Sequence, residues 1–152
     1  MKGHMSFTAE DYREAAAEHV NVARELYDRK RYVLAHYISG LAVECIFRAY
    51  YARLNSIFDK RHDLVELAKA AKFYDLVPEK ADEVRAALGV VVSQWVNSHR
   101  YRSEAALRRF LKEGKLDRGI KGNFVKENSR RIVIAASELV NLGVLRWQRQ
   151  TN

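Results

Sequence analysis

The stretch Arg31 to Leu54, RYVLAHYISGLAVECIFRAYYARL, has no proline and is apolar on more than one face. Leu34, Ile38, Leu41, Cys45, Ala49 and Ala52 fall at helical spacing, and His36, Gly40, Val43, Phe47 and Tyr51 form a second stripe. A helix on a protein surface buries one stripe, so a helix apolar nearly all round sits among several neighbours. This stretch therefore predicts the central helix of an all-helical domain, or a helix shared across a dimer.

Working outward, further helical segments appear and no strand pattern competes with them. The first runs from about Thr8 to Asp28; Thr8 with Asp11 makes a capping-box start, and Tyr12, Ala15, Ala16, His19, Val20, Ala23, Leu26 and Tyr27 form its apolar face. The basic hinge Arg29-Lys30-Arg31 leads into the central helix, which ends near Asn55. Asp63 caps a third helix through Ala71, with Leu64, Leu67 and Ala68 inward. Pro78 suits the first turn of a fourth, which carries Val84, Leu88, Val91, Val92 and Trp95. Asn97 to Arg102 reads as a polar break, Ser103 caps a short continuation from Glu104 to Glu113, and residues 114–123 read as a loop. The last helix covers about Phe124 to Trp147, with Ile132, Ala135, Ala136, Leu139, Leu142 and Leu145 inward. Short links between long helices make neighbours antiparallel. The predicted fold is all-α, an antiparallel up-down bundle of four to five helices, in a single domain over residues 6–150. Residues 1–5, with Gly3-His4-Met5, look like an expression-tag remnant and are left out of the fold reading.

At 152 residues, with 48% apolar and 30% charged residues, the chain can bury its own core. Cys45 is the only cysteine, so no disulfide within the chain and no cysteine-based zinc site can form, and the five histidines show no paired ligand spacing. No metal and no cofactor is expected. No apolar run reaches membrane-spanning length without charge, and the start lacks a signal-peptide core, which fits a cytoplasmic protein without membrane contact. The net charge of +8 is regional: between Asn97 and Arg131 stand eleven Lys or Arg against four Asp or Glu, while the rest of the chain is nearly balanced. Such a segment either attracts polyanions or is a solvated face.

The order Gly40-Leu41-Ala42-Val43-Glu44, then His62-Asp63-Leu64 heading the next helix, then Trp95 with Arg100-Tyr101 ending a later one, resembles the HEPN (higher eukaryotes and prokaryotes nucleotide-binding) domain family over roughly residues 8–145. The resemblance implies a bundle of four to five helices, usually a homodimer. Members are often encoded beside a minimal nucleotidyltransferase in prokaryotic toxin–antitoxin pairs, and several are metal-independent ribonucleases. Their catalytic signature is an Arg, then four to six intervening residues, then a His, near the start of a late helix. Here that spacing occurs at Arg13/His19, Arg29/His36 and Arg31/His36, all in the first two helices, and no histidine follows His99. This chain departs from the nuclease pattern at the position where it matters.

What stands near the expected site is Asn97-Ser98-His99-Arg100-Tyr101-Arg102. A histidine can pass protons near neutral pH and an arginine can brace a phosphate, so His99 and Arg100 are the candidate catalytic pair. The same segment reads equally as a polar helix end. The candidate phosphate-binding residues are Arg100, Arg102, Arg108, Arg109, Lys121, Arg130 and Arg131. Glu44, on the most apolar helix, needs a partner. Arg48 at i+4 is one, and orienting Arg100 and Arg102 is the functional alternative.

Three function classes follow. The first is a HEPN-type binding module, a homodimer associated with RNA or a nucleotide and acting with a nucleotidyltransferase in a toxin–antitoxin-like or defence system. The second is a divergent metal-independent endoribonuclease. The third is a helical-repeat interaction module, since Ala23, Leu26, Tyr27, Tyr32 and Ala35 resemble one tetratricopeptide unit; residues 57–76 do not repeat it.

Overall fold

The computed structural model describes residues 7–55 and 62–151, with side chains as far as Gln148. The proposed tag remnant lies outside the described residues. Among the described residues six α-helices succeed one another: α1 (Ala9–Asp28), α2 (Tyr32–Leu54), α3 (Leu64–Ala70), α4 (Ala81–Gln94), α5 (Glu104–Glu113) and α6 (Phe124–Thr151), with short 3₁₀ turns at Phe73–Asp75, Pro78–Lys80 and Asn97–Tyr101. Among the described residues there is no strand.

α1 begins as its sequence predicts. The Thr8 hydroxyl accepts from the Asp11 N–H at 3.0 Å and the Asp11 carboxylate accepts from the Thr8 N–H at 2.8 Å. Its end is less expected. Lys30 takes a left-handed conformation (φ +63°), its N–H bonds the Tyr27 carbonyl, and the Arg31 N–H bonds the Leu26 carbonyl. This pair of bonds turns the chain straight into α2 and satisfies two terminal carbonyls of α1. The basic hinge is thus a tight helix stop. Lys72 and Lys115 end α3 and α5 with the same backbone sign.

α2 is buried along most of its length, with His36, Ser39, Glu44 and Arg48 inside beside its apolar residues. Two close approaches fix it. A Cβ at Gly40 would overlap the indole of Trp95, whose Nε1–H donates to the Tyr37 carbonyl at 3.0 Å. On the other side, Gly143 of α6 lies against Ile46, and the Tyr50 hydroxyl donates to the Gly143 carbonyl at 2.6 Å.

Direction follows from the bonds. The Tyr32 carbonyl accepts from Ser129 and Tyr50 reaches Gly143, so α2 and α6 run parallel. Trp147 Nε1 donates to Glu10 and Arg24 donates to Ser137, so α1 runs antiparallel to α6. His36 bonds the Gln94 carbonyl, which places the end of α4 at the start of α2. The helices α1, α2, α4 and α6 therefore alternate up and down around one core, with α3 and α5 as short additions. Trp147 buries in that core, edge-on to Tyr50, under the Arg53 guanidinium at 3.1 Å.

Three expectations are corrected. Leu34 (41% exposed), Val92 (39%) and Leu145 (57%), expected on apolar stripes, face outward at the edges of those stripes. Pro78 starts a separate 3₁₀ turn, and α4 begins three residues later. α6 continues to Thr151, beyond Trp147.

Candidate nucleic-acid interface

The turn Asn97–Tyr101 follows α4 and the buried Trp95, and of its five residues His99 is the one that is buried. His99 goes inward and is 2% exposed. Its Nδ1 accepts from the Val96 N–H at 3.4 Å, and its ring meets Phe110 edge-on at 4.7 Å and His36 at 5.6 Å. Burial first, then His36 and Arg102 beside it, push its pKa down to about 3. His36, fully buried, is held down to about 4 by the same desolvation, although its Nε2–H bond to the Gln94 carbonyl at 3.0 Å opposes this. Both rings are neutral at pH 7. The expectation that His99 exchanges protons with a substrate meets a physical obstacle here: the ring is enclosed and holds no proton to give as an imidazolium.

Arg100 and Tyr101 go outward. Tyr101 is 77% exposed and the Arg100 guanidinium lies 4.7 Å from its ring centroid. Side-chain hydrogen bonds to Tyr101 and Tyr37 hold Arg100 firmly protonated, its pKa raised above the ordinary value. Tyr37 in turn stacks on Trp95, with centroids 6.3 Å apart and planes 23° apart. The result is an exposed cation on an aromatic surface, braced from below by a buried indole. Two further arginines of the segment also lie on rings: Arg102 over Phe110 and Arg108 over Phe124, each at 5.0 Å. Arg109 and Lys121 are exposed on α5 and on the loop that follows. Arg130 and Arg131 are placed differently. Both pair with Glu127 on α6, at 2.7 and 3.4 Å, and Arg130 lines a groove between α1 and α6 with Arg24 and Asp28. The seven basic candidates therefore do not form one uniform patch; the Arg100–Tyr101 turn and α5 make the aromatic-backed part.

Glu44 has other partners than Arg100 and Arg102. One carboxylate oxygen accepts from Arg48 Nε at 2.8 Å and the other from His62 Nδ1 at 3.0 Å. Glu44 and Arg48 are both nearly enclosed, while His62 is half exposed. The sequence shows the i+4 pair but presents it as a surface pair; it does not show His62, eighteen residues away, closing the cluster. Asp63 caps α3 as expected, accepting from the Val65 and Glu66 N–H groups. Glu44 thus ties the start of α3 to the central helix and orients Arg48 and His62.

Among the described residues, no group of three or more His, Cys, Asp or Glu side chains could hold a metal ion. Cys45 is buried, its thiol pushed up to about 12 by desolvation, which leaves it without thiolate chemistry near neutral pH. No described helix is long and apolar enough to cross a membrane.

Comparison with curated proteins and with solved structures finds no match. The model of the HEPN domain family matches residues 9–146, from the first residue of α1 to one short of Trp147. With nearly its whole length matched, and with Gly40 packed on Trp95 and Glu44 bonded to His62 across the motif pieces, the chain belongs to the HEPN domain family.

Proposed function

We propose that this HEPN domain is a binding module for RNA or a nucleotide, acting as a homodimer in the cytoplasm, and that it holds phosphate and base without cleaving them. The observation that carries this reading is the Arg100–Tyr101 pair: an exposed ring with a cation on it, inside the most basic segment of the chain. Nucleic-acid surfaces combine those two features, since a base stacks on an aromatic or on an arginine while the cation meets the backbone. The enclosed, neutral His99 favours binding over catalysis. The family resemblance supports a minimal nucleotidyltransferase as protein partner, in a prokaryotic toxin–antitoxin-like or defence pair.

The test is binding of a short single-stranded RNA across a salt series. If Arg100, Arg102, Arg109 and Lys121 each neutralise one phosphate, affinity falls about fiftyfold between 50 and 200 mM salt. Tyr101→Ala removes a stacking surface worth about 1–3 kcal/mol per base and weakens binding about five- to 150-fold. A salt-independent affinity, or an unchanged one in Tyr101→Ala, overturns the reading. Cleavage of the same RNA in EDTA by the wild type, lost in His99→Ala, would restore the divergent ribonuclease.

A further inference from the structure

The hinge Arg29-Lys30-Arg31 gains a neighbour that lies far from it in the chain. α1 ends with the Lys30 N–H on the Tyr27 carbonyl and the Arg31 N–H on the Leu26 carbonyl. α5 ends the same way, with the Lys115 N–H on the Lys112 carbonyl and the Leu116 N–H on the Leu111 carbonyl. Both stops rest on one apolar cluster, in which Tyr27 and Tyr32, on either side of the hinge, join Leu111, Leu116, Ile120 and Phe124. Two successive residues of α6 pin them. The Ser129 hydroxyl donates to the Tyr32 carbonyl at 3.0 Å, and Asn128 Nδ2 donates to the Leu116 carbonyl at 2.9 Å. The fold therefore sets residues 29–31 beside the loop 114–123.

That placement gathers exposed cations without counter-charges. Arg29, Lys30 and Arg31 in the hinge, and Lys115, Arg118 and Lys121 in the loop, are all exposed. Among the described residues none of the six pairs with a carboxylate. Elsewhere Lys69, Arg85, Arg108 and Arg130 each meet an acidic side chain three or four residues away on their own helix. Asp117 is the one carboxylate within the two stretches, with Asp28 and Glu113 at their edges. Like charges crowded in this way raise the local potential and draw a polyanion, and each neutralised phosphate adds salt-dependent affinity.

The cluster lies at the same end of the bundle as Tyr101. Arg100 bonds Tyr37, and Tyr37 stands five residues beyond Tyr32, about 8 Å along α2. A single nucleotide stacked on Tyr101 keeps its phosphate beside that base and leaves the six cations unused. A strand brings another phosphate with every nucleotide. We infer that the hinge Arg29–Arg31 and the loop from Lys115 to Lys121 form a second phosphate contact, and that this surface takes a single strand of RNA long enough to run from the Tyr101 turn to the hinge, not a mononucleotide. This rests on the RNA reading above. It adds a contact outside the basic segment 97–131 and chooses between the two ligands that the reading keeps together.

The test compares a labelled single strand of about ten nucleotides with ATP and a dinucleotide as competitors, across a salt series. If the three hinge cations each neutralise one phosphate beyond the four counted above, the fall in affinity for the longer strand between 50 and 200 mM salt grows from about fiftyfold to about nine-hundredfold. The variant Arg29→Gln/Lys30→Gly/Arg31→Gln returns it to about fiftyfold and leaves dinucleotide binding unchanged; glycine takes the φ of +63° at position 30 without strain. Arg29→Gln/Arg31→Gln, which leaves Lys30 in place, gives about 130-fold. The control Lys69→Gln/Lys72→Gly/Lys80→Gln removes as much charge at the opposite end of the bundle and keeps the wild-type salt response. Circular dichroism checks that all three variants are folded. Equal losses in the hinge variant and the control, or a hinge variant with the wild-type salt response, overturn the second contact and leave Tyr101→Ala to test the first. ATP bound as tightly as the longer strand overturns the choice of ligand. A wild-type protein that binds no RNA overturns the second contact and the RNA reading together.

Discussion

Acidification from pH 7 to pH 5 should unfold this bundle more readily, and two buried imidazoles set the size of the effect. His36 and His99 are neutral in the folded protein, with pKa values near 4 and 3. In the unfolded chain both titrate near 6.5. Below pH 6.5 the unfolded state binds protons that the folded state refuses, so stability falls as pH drops; the loss continues until the folded pKa values are reached. The stability is fully present above about pH 6.5. For His36 alone the loss between pH 7 and 5 is about 2 kcal/mol, and His99 adds up to as much again. Against a total stability of about 5–15 kcal/mol this is a large fraction. Carboxylates held low by their partners, such as Asp11 and Glu127, add their share only at lower pH.

Urea unfolding followed by circular dichroism at pH 7, 6 and 5 measures the loss. The attribution is checked with His99→Phe, which keeps an aromatic ring against Phe110 and removes one titrating group. That variant should lose about half as much stability on acidification as the wild type, whatever its stability at pH 7. A wild-type midpoint that does not move between pH 7 and 5, or a variant with the same pH slope as the wild type, refutes the reasoning, because either result means that the rings gain their protons in the folded state as easily as in water.

Three more outcomes follow from the packing. Gly40→Ala drives a methyl group into the Trp95 indole and should cost about 1–3 kcal/mol in urea unfolding, with a change in tryptophan fluorescence. Lys30→Gly, Lys72→Gly and Lys115→Gly each relieve a left-handed backbone and should each raise stability, by up to about 1 kcal/mol. Glu44→Gln removes the enclosed carboxylate that meets Arg48 at 2.8 Å and should lower stability in urea unfolding, while the double variant Glu44→Leu/Arg48→Leu costs less than Glu44→Gln alone.

The order of helices was legible because their ends carry side chains with a mechanism. Thr8, Asp63 and Ser103 each accept the backbone N–H groups that an N-terminus leaves open. The helix stops were less legible, since the residue that takes the left-handed position is lysine in three cases, where the usual signal is glycine. Periodicity gives the direction of a face but not its width, so Leu34, Val92 and Leu145 read as inward although they are exposed. The polar run Asn97–Tyr101 marks a break in the sequence, and the structure has a 3₁₀ turn there. Which of its residues point inward was not readable, because a five-residue 3₁₀ turn has no repeat to count. His99 and Arg100 are adjacent in sequence, and one is enclosed while the other is exposed.

The motif pieces that carry the family resemblance turn out to be joints. Gly40 exists to let the Trp95 ring lie on α2, and Glu44 holds His62 where α3 begins. A glycine that must meet an indole and a buried carboxylate that must meet an imidazole constrain each other over eighteen and fifty-five residues, which is why their order and separation identify the fold better than any one of them does. Each of these groups already has a partner within the chain. What remains unspent on the fold is the outward half of the turn after Trp95, Arg100 and Tyr101. A domain that fixes its architecture with interior pairs leaves such surfaces open to change, so a binding surface is to be sought in the outward part of the motif, Arg100 and Tyr101, and not in its interior part, Gly40, Glu44, His62 and Trp95.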